Sequence, residues 1–277
     1  MRYKQTKYNC IGTLFYERSF KKIQSGNNKN RIKRNKPTTE QQKKINENNS
    51  VNMVTRILQM NFKGGDLHII LTYKNENYPD TVQAIRKNKE LFIRRLAYAY
   101  KKHGYELRYI QATEYKKKRV HHHMIINAIP EISAADIQNK IWKKGFVKST
   151  PLEDNGYYEP LAQYLVKETS MTFNTNERVY AQRYTTSRNI KRPEKEITYI
   201  EGNESDFYTV PQIEGNYALI KESFYQGINE YTGTIYIKYA MKLIPERKNK
   251  KNRRKHTKIL TTQKKGLHNE EKILLRN

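Results

Sequence analysis

The stretch from residue 67 to residue 150 changes its hydrophobic pattern in an order that few folds accommodate. Residues 67–73 form an apolar, β-branched run, which is typical of a strand. Residues 81–103 place apolar side chains mostly three or four positions apart, with Lys and Arg on the other face. That spacing predicts an amphipathic helix, and Gly104 marks its end.

Strand patterning resumes after this helix. Residues 106–115 and 119–128 are predicted as two strands joined by a tight basic turn. Ser133 is predicted to cap a short helix through Trp142, and residues 145–150 can form a fourth strand. The order β-α-β-β-α-β is that of the split βαβ, or ferredoxin-like, arrangement. We therefore predict an α+β protein whose antiparallel sheet carries helices on one face and leaves the other face open to a ligand.

A histidine triplet lies on the second strand of the predicted hairpin. His121 and His123 are two residues apart, so their imidazoles project from one face while His122 projects from the other. Glu114 lies across the turn, where a hairpin can bring its carboxylate beside both rings. Two imidazoles and one carboxylate suit a divalent ion with open coordination positions. A purification tag, a solvent-facing trio and a pH-sensitive cluster are the alternatives.

A tyrosine and a lysine follow on a predicted helix, residues 159–169, entered through Pro160. Tyr164 and Lys167 are three residues apart and therefore share a face. A phenol has a pKa of roughly 10, so its attack on phosphorus needs a metal and a nearby ammonium. A Tyr-x-x-Lys spacing is weak evidence by itself in a chain with 22 tyrosines. Its value comes from its position after the histidine strand, on a helix, in a basic chain, and attack by Tyr164 on phosphorus would form a 5′-phosphotyrosyl bond.

The charge of the chain favours nucleic acid as the partner. There are 54 Lys and Arg against 27 Asp and Glu, a formal net charge of +27, which attracts polyanions. A lysine-rich soluble protein without such a partner is the alternative. Cys10 is the only cysteine, which excludes an internal disulfide and fits a cytoplasmic protein. No run approaches the roughly 18 apolar residues of a membrane span.

The segment from about Gly65 to Pro193 resembles the HUH endonuclease superfamily, in particular the rolling-circle replication initiator (Rep) proteins of plasmids, phages and integrative elements. Three motifs carry the resemblance, in order: Ile70-Leu71-Thr72-Tyr73, Val120-His121-His122-His123-Met124 and Tyr164-Leu165-Val166-Lys167. The stretches Thr186-Ser187-Arg188-Asn189 and Lys191-Arg192-Pro193 are also similar to a region that follows the helix in bacterial initiators.

The resemblance implies the HUH fold and a site-specific endonuclease and strand transferase that starts rolling-circle replication. Tyr164 and Lys167 would be catalytic, and Glu114, His121 and His123 would hold Mg²⁺ or Mn²⁺. Contacts to DNA are expected from Thr72, Lys116, Lys117, Lys118, Arg119 and Arg188. The expected partners are single-stranded or hairpin DNA at an origin, and a host helicase and polymerase, because the sequence contains no Walker A motif.

The sequence departs from the family pattern in two places. His122 stands where the family usually has a hydrophobic residue, and strand alternation favours its two neighbours as ligands. Tyr157 and Tyr158 precede Pro160 and are expected to contact DNA or to pack, which leaves one nucleophile, although a second tyrosine could act in termination. A relaxase or single-strand transposase would use the same chemistry. A non-catalytic binder would present aromatic residues on its central strands, where this chain has histidines.

The domain organisation follows from these assignments. Residues 1–63 are predicted as a basic N-terminal region, poorly ordered in places before a polar helix that begins near Thr38. Residues 64–195 form the nicking domain, 196–245 a strand-rich extension and 246–277 a basic tail. The extension either continues the sheet or forms a small accessory unit.

Overall fold

A computed structural model describes residues 2–20, 39–116, 119–154, 156–173, 182–203, 213–229 and 234–244. The turn residues Lys117 and Lys118 and the basic tail lie outside these ranges. The strands are β1 (Arg2–Cys10), β2 (Thr13–Phe20), β3 (Leu67–Leu71), β4 (Tyr109–Lys116), β5 (Arg119–Ile126), β6 (Val147–Pro151), β7 (Thr185–Thr186), β8 (Glu194–Glu201), β9 (Tyr217–Asn229) and β10 (Thr234–Leu243). The helices are α1 (Thr39–Asn61), α2 (Val82–Lys102), α3 (Ala134–Asp136), which a π-helical turn (Ile137–Ile141) continues, and α4 (Glu159–Phe173).

The described strands form two antiparallel sheets of five strands each. The central sheet has the order β6-β3-β5-β4-β7, and the accessory sheet has the order β8-β1-β2-β10-β9. The central sheet, α2 and α3 follow the chain order β3-α2-β4-β5-α3-β6. The predicted α+β class and its antiparallel sheet are therefore confirmed.

Helices pack on both faces of the central sheet. Strand alternation sends Ile69, Leu71, Met124 and Ile126 to one face, where they pack with side chains of α2 and the π-helical turn. Ile110 and Ile125 point to the opposite face and pack with α1 and α4. The predicted placement of helices on one face thus holds for α2 and α3 only. The second face, which was predicted to be open, is partly covered because α1 and α4 bury their apolar stripes on it. These stripes include Val54, Ile57, Leu58, Ala162, Leu165 and Val166.

The accessory sheet brings the two ends of the described chain together. Tyr3 of β1 pairs with Ile200 of β8, and Tyr16 of β2 pairs with Tyr239 of β10. The N-terminal hairpin, which was not expected from the sequence, therefore joins the strand-like stretches near residues 197 and 235. These stretches form a separate unit and do not extend the central sheet.

Two ion pairs connect the accessory sheet to the helices on the second face. Arg56 of α1 pairs with Glu17 of β2, and its guanidinium carbon lies 3.6 Å from the centre of the Tyr8 ring. Lys238 of β10 pairs with Glu159 at the start of α4, with an Nζ–Oε1 distance of 2.6 Å. The accessory sheet therefore fixes the end at which α4 begins. No helix in the described ranges is long and apolar enough to cross a membrane.

Candidate metal and tyrosine site

The β4–β5 hairpin sets the positions of the three candidate ligands. Glu114 pairs directly with His121, and Ala112 pairs with His123. Since paired residues of an antiparallel ladder project to the same side, Glu114 and both histidines share one face. This is the face that α1 and α4 cover elsewhere. The structure thus brings together the three residues that the sequence singles out.

The ligand atoms of these residues are close enough to share one ion. Glu114 Oε2 lies 3.1 Å from His123 Nε2 and 3.8 Å from His121 Nδ1. All three ligand atoms lie within 4.8 Å of one another. Two donors that each stand about 2.1 Å from a Mg²⁺ ion are at most about 4.2 Å apart, so small side-chain adjustments suffice. Glu114 and His123 are buried, whereas the His121 side chain is 37% exposed, so a bound ion could still be reached from solvent.

His122 belongs to a hydrogen-bonded cluster on the opposite face. It is fully buried, with Nε2 3.0 Å from the Tyr73 hydroxyl and Nδ1 3.0 Å from Thr113 Oγ1. Burial, with a smaller contribution from Lys89, lowers the pKa of His122 to about 3. The imidazole is therefore neutral and connects the hairpin to the segment after β3. A hydrophobic residue at this position could not make these two bonds.

Replacing His122 by Ala should destabilise the fold strongly. The change leaves a cavity and removes one hydrogen-bond partner each from Tyr73 and Thr113, so we expect a loss of about 3 kcal/mol in the free energy of unfolding. Urea unfolding measures this loss. His103→Ala at the exposed end of α2 is the matched control, and equal stability of the two variants would contradict the structural role.

Tyr164 extends from α4 against the histidine strand. Its ring lies edge-on to His123 with 5.5 Å between ring centres, and 38% of the residue is exposed. Lys167, one helical turn later, is exposed on the same helix. The phenol ring thus stands beside one candidate ligand while remaining accessible to a large substrate.

His68 is a member of this site that sequence reasoning missed. Its ring stacks on His123 at 5.9 Å and meets the edge of Tyr164 at 5.9 Å. Burial lowers the pKa of His68 to about 4, so its imidazole is neutral. Its Nε2 is buried and has no hydrogen-bond partner within the described ranges. No local signal in the sequence indicates this role, because His68 lies in an ordinary apolar strand pattern and its contact with His123 depends on the pairing of β3 with β5.

Three of the residues expected to contact DNA can be placed in the described structure, and they lie at different positions on the central sheet. Thr72 bonds the Phe146 carbonyl through its N–H at 2.9 Å and its hydroxyl at 3.2 Å, which connects the end of β3 to the start of β6. Arg119 is exposed at the start of β5, beside the turn that Lys116 enters. Arg188 is exposed just after β7, at the other edge of the central sheet.

The two tyrosines before α4 pack into the protein. Tyr158 is 5% exposed in the core beneath α1 and α4. Tyr157 packs against the accessory sheet beside Phe15, and its hydroxyl donates to Glu159. Of the two interpretations left open by the sequence, the structure supports packing.

Comparison with known proteins adds a family match for this part of the chain. Residues 66–169 match the family model described as replication-associated protein ORF2. The match spans β3 to α4 and contains the histidine triplet, Glu114 and Tyr164, while the strands of the accessory sheet lie outside it. It supports a role in the initiation of DNA replication. No curated protein and no solved structure gives a significant match.

Proposed function

We propose that this protein initiates DNA replication by cutting one strand at an origin and remaining attached to its 5′ end through Tyr164. One observation carries the proposal: the Tyr164 ring lies against His123 of a Glu-His-His cluster that can hold a metal ion. The family match to replication-associated proteins favours replication over mobilisation or transposition by the same chemistry.

The chain supplies the groups for an in-line phosphoryl transfer. The Tyr164 oxygen forms a bond to the scissile phosphorus, and the bond to the 3′-oxygen breaks. The phenol proton is released, and the departing 3′-oxygen takes up a proton to become a 3′-hydroxyl. Attack by that hydroxyl on the phosphotyrosine reverses the reaction and rejoins the strand without ATP. The 3′-hydroxyl can also prime a host polymerase.

The side chains around Tyr164 divide the remaining tasks. Glu114, His121 and His123 would hold Mg²⁺ or Mn²⁺, which supplies Lewis-acid polarisation of the phosphate when bound. The half-exposed His121 lies at the accessible edge of the cluster, where the scissile phosphate would enter. The ammonium of Lys167 adds positive charge on the tyrosine helix, and the net charge of +27 attracts single-stranded or hairpin DNA.

An unbiased DNA library tests the proposal for whatever origin the protein recognises. Purified protein is incubated with random-sequence single-stranded DNA and Mn²⁺ or Mg²⁺, and complexes that resist SDS are captured and sequenced. We expect covalent complexes on one preferred sequence, with the protein on the 5′ end of the cut strand. EDTA should prevent them. Binding without a nick or an adduct in either metal would instead establish a non-catalytic nucleic-acid binder.

A further inference from the structure

Phe146 is an exposed aromatic residue beside the candidate site. It directly precedes β6, and 59% of it is accessible to solvent. Single exposed apolar residues are common on protein surfaces and need no function. The position, rigidity and charge surroundings of Phe146 distinguish it from such residues.

The position follows from the strand register. Val147 packs with the cluster on the α2 face, so alternation sends Phe146 and Lys148 to the opposite face, which carries Tyr164 and the metal ligands. Leu71 pairs with both His122 and Val147, which places Thr72 between His121 and Phe146. Two strand spacings of about 4.8 Å separate His121 from Phe146, about 10 Å in all.

The backbone that carries Phe146 is held in place. Its carbonyl accepts both hydrogen bonds from Thr72, and Lys74 N–H donates to Lys144 at 3.0 Å. The Trp142 indole N–H donates to the Thr72 carbonyl at 2.8 Å. A side chain on Gly145 would place its Cβ 2.0 Å from the Thr72 carbonyl oxygen, so the two segments approach as closely as glycine permits. The ring is thus presented from a preorganised support.

Positive charge lies beside the ring. Lys74 Nζ lies 5.8 Å from the ring centre, and Lys148 is exposed two residues further along β6. Lys74 also lies 4.0 Å from Glu76, but both side chains are well exposed, and such pairs contribute little. The Lys74 ammonium can therefore turn to a phosphate. An accessible aromatic face next to lysines is the arrangement with which proteins bind single-stranded DNA.

We propose that Phe146 is a stacking platform for one nucleobase of the single strand, a few nucleotides from the scissile phosphate, with Lys74 and Lys148 binding the adjoining phosphates. This inference rests on the proposed function, because it assigns part of the same DNA path. Every base has a π-face, so the subsite accepts any of the four.

Scanning 2-aminopurine fluorescence tests the platform. The fluorescent base is placed at successive positions of the oligonucleotide selected by adduct capture, and binding is measured in EDTA, without cleavage. We expect quenching at one position near the cut, its loss in Phe146→Ala and its retention in Phe146→Tyr. Affinity should fall about 5- to 100-fold in Phe146→Ala.

Phe224→Ala, which removes a 39% exposed phenylalanine from the accessory sheet, is the matched control and should bind as the wild type does. Wild-type quenching and affinity in a folded Phe146→Ala would overturn the platform, while the adduct of the wild type would still support the nicking function. If no sequence gives an adduct, oligo-dT containing 2-aminopurine provides the same comparison. Quenching that depends on Phe146 would then support the platform without the chemistry.

Discussion

Replacing Tyr164 by Phe should abolish the covalent protein–DNA complex and should leave the affinity for single-stranded DNA within about twofold of the wild type. The change removes one oxygen atom and keeps the ring that contacts His123 and His68. Since the phenol oxygen is the atom that would bond to phosphorus, no slower route through this residue remains. SDS gel electrophoresis with 3′-labelled DNA measures the adduct, because this label stays with the strand that carries the new phosphotyrosine.

The rival nucleophiles supply the controls. Tyr157→Phe and Tyr158→Phe should both retain the adduct, because Tyr158 is buried in the core and Tyr157 packs against the accessory sheet. An adduct that survives in Tyr164→Phe and disappears in one of these variants would move the nucleophile to that position. Tyr98→Phe on α2, where the tyrosine is 63% exposed, controls for the loss of a hydroxyl elsewhere.

Removing a single imidazole from the cluster should abolish metal-dependent cutting. We expect His123→Ala to bind Mn²⁺ at least about a hundredfold more weakly and to give no detectable adduct, because Glu114 and His121 then remain of the three candidate ligands. Calorimetric titration with Mn²⁺ measures the affinity, and the adduct assay measures the chemistry. The loss of Mn²⁺ affinity and the loss of the adduct should occur together if the ion that binds at this cluster is the one that the cutting reaction needs.

His123 is buried, so its loss could also weaken the fold. His121→Ala addresses this, because that side chain is 37% exposed and its removal leaves a smaller cavity. His103→Ala at the end of α2 is the control, because it removes an exposed histidine that is not part of the cluster. Unchanged Mn²⁺ binding and adduct yield in both folded His121 and His123 variants would exclude this cluster as the metal site.

The part of the site that could be predicted is the part that depends on local sequence. Glu114 and His121 are joined by a short hairpin, so strand alternation and one turn suffice to place them together. His68 could not be assigned in the same way. Its contact with His123 depends on the pairing of β3 with β5, which brings together residues about 55 positions apart, and its neighbours give an ordinary apolar strand pattern.

The fold also contains features that local sequence predicts and features that depend on long-range contacts. The order of elements from β3 to β6 follows from periodicity, whereas the face that α1 and α4 occupy does not, because an apolar stripe does not specify its partner. The N-terminal hairpin was missed because Lys4, Gln5 and Lys7 interrupt its apolar alternation. Its partners, β8 and β10, lie almost 200 residues away or further.

Through the ion pair between Lys238 and Glu159, the accessory sheet is expected to affect the proposed reaction, although it contributes none of the proposed reactive groups. The helix that carries Tyr164 is held at its first residue, Glu159, by Lys238 of β10, which is the last strand of the described residues. A substitution in that sheet is therefore expected to change the orientation of Tyr164, the proposed nucleophile, while the side chains proposed to act on the phosphate stay the same. The family-matched segment contains the proposed reactive groups, but part of their positioning comes from residues outside it.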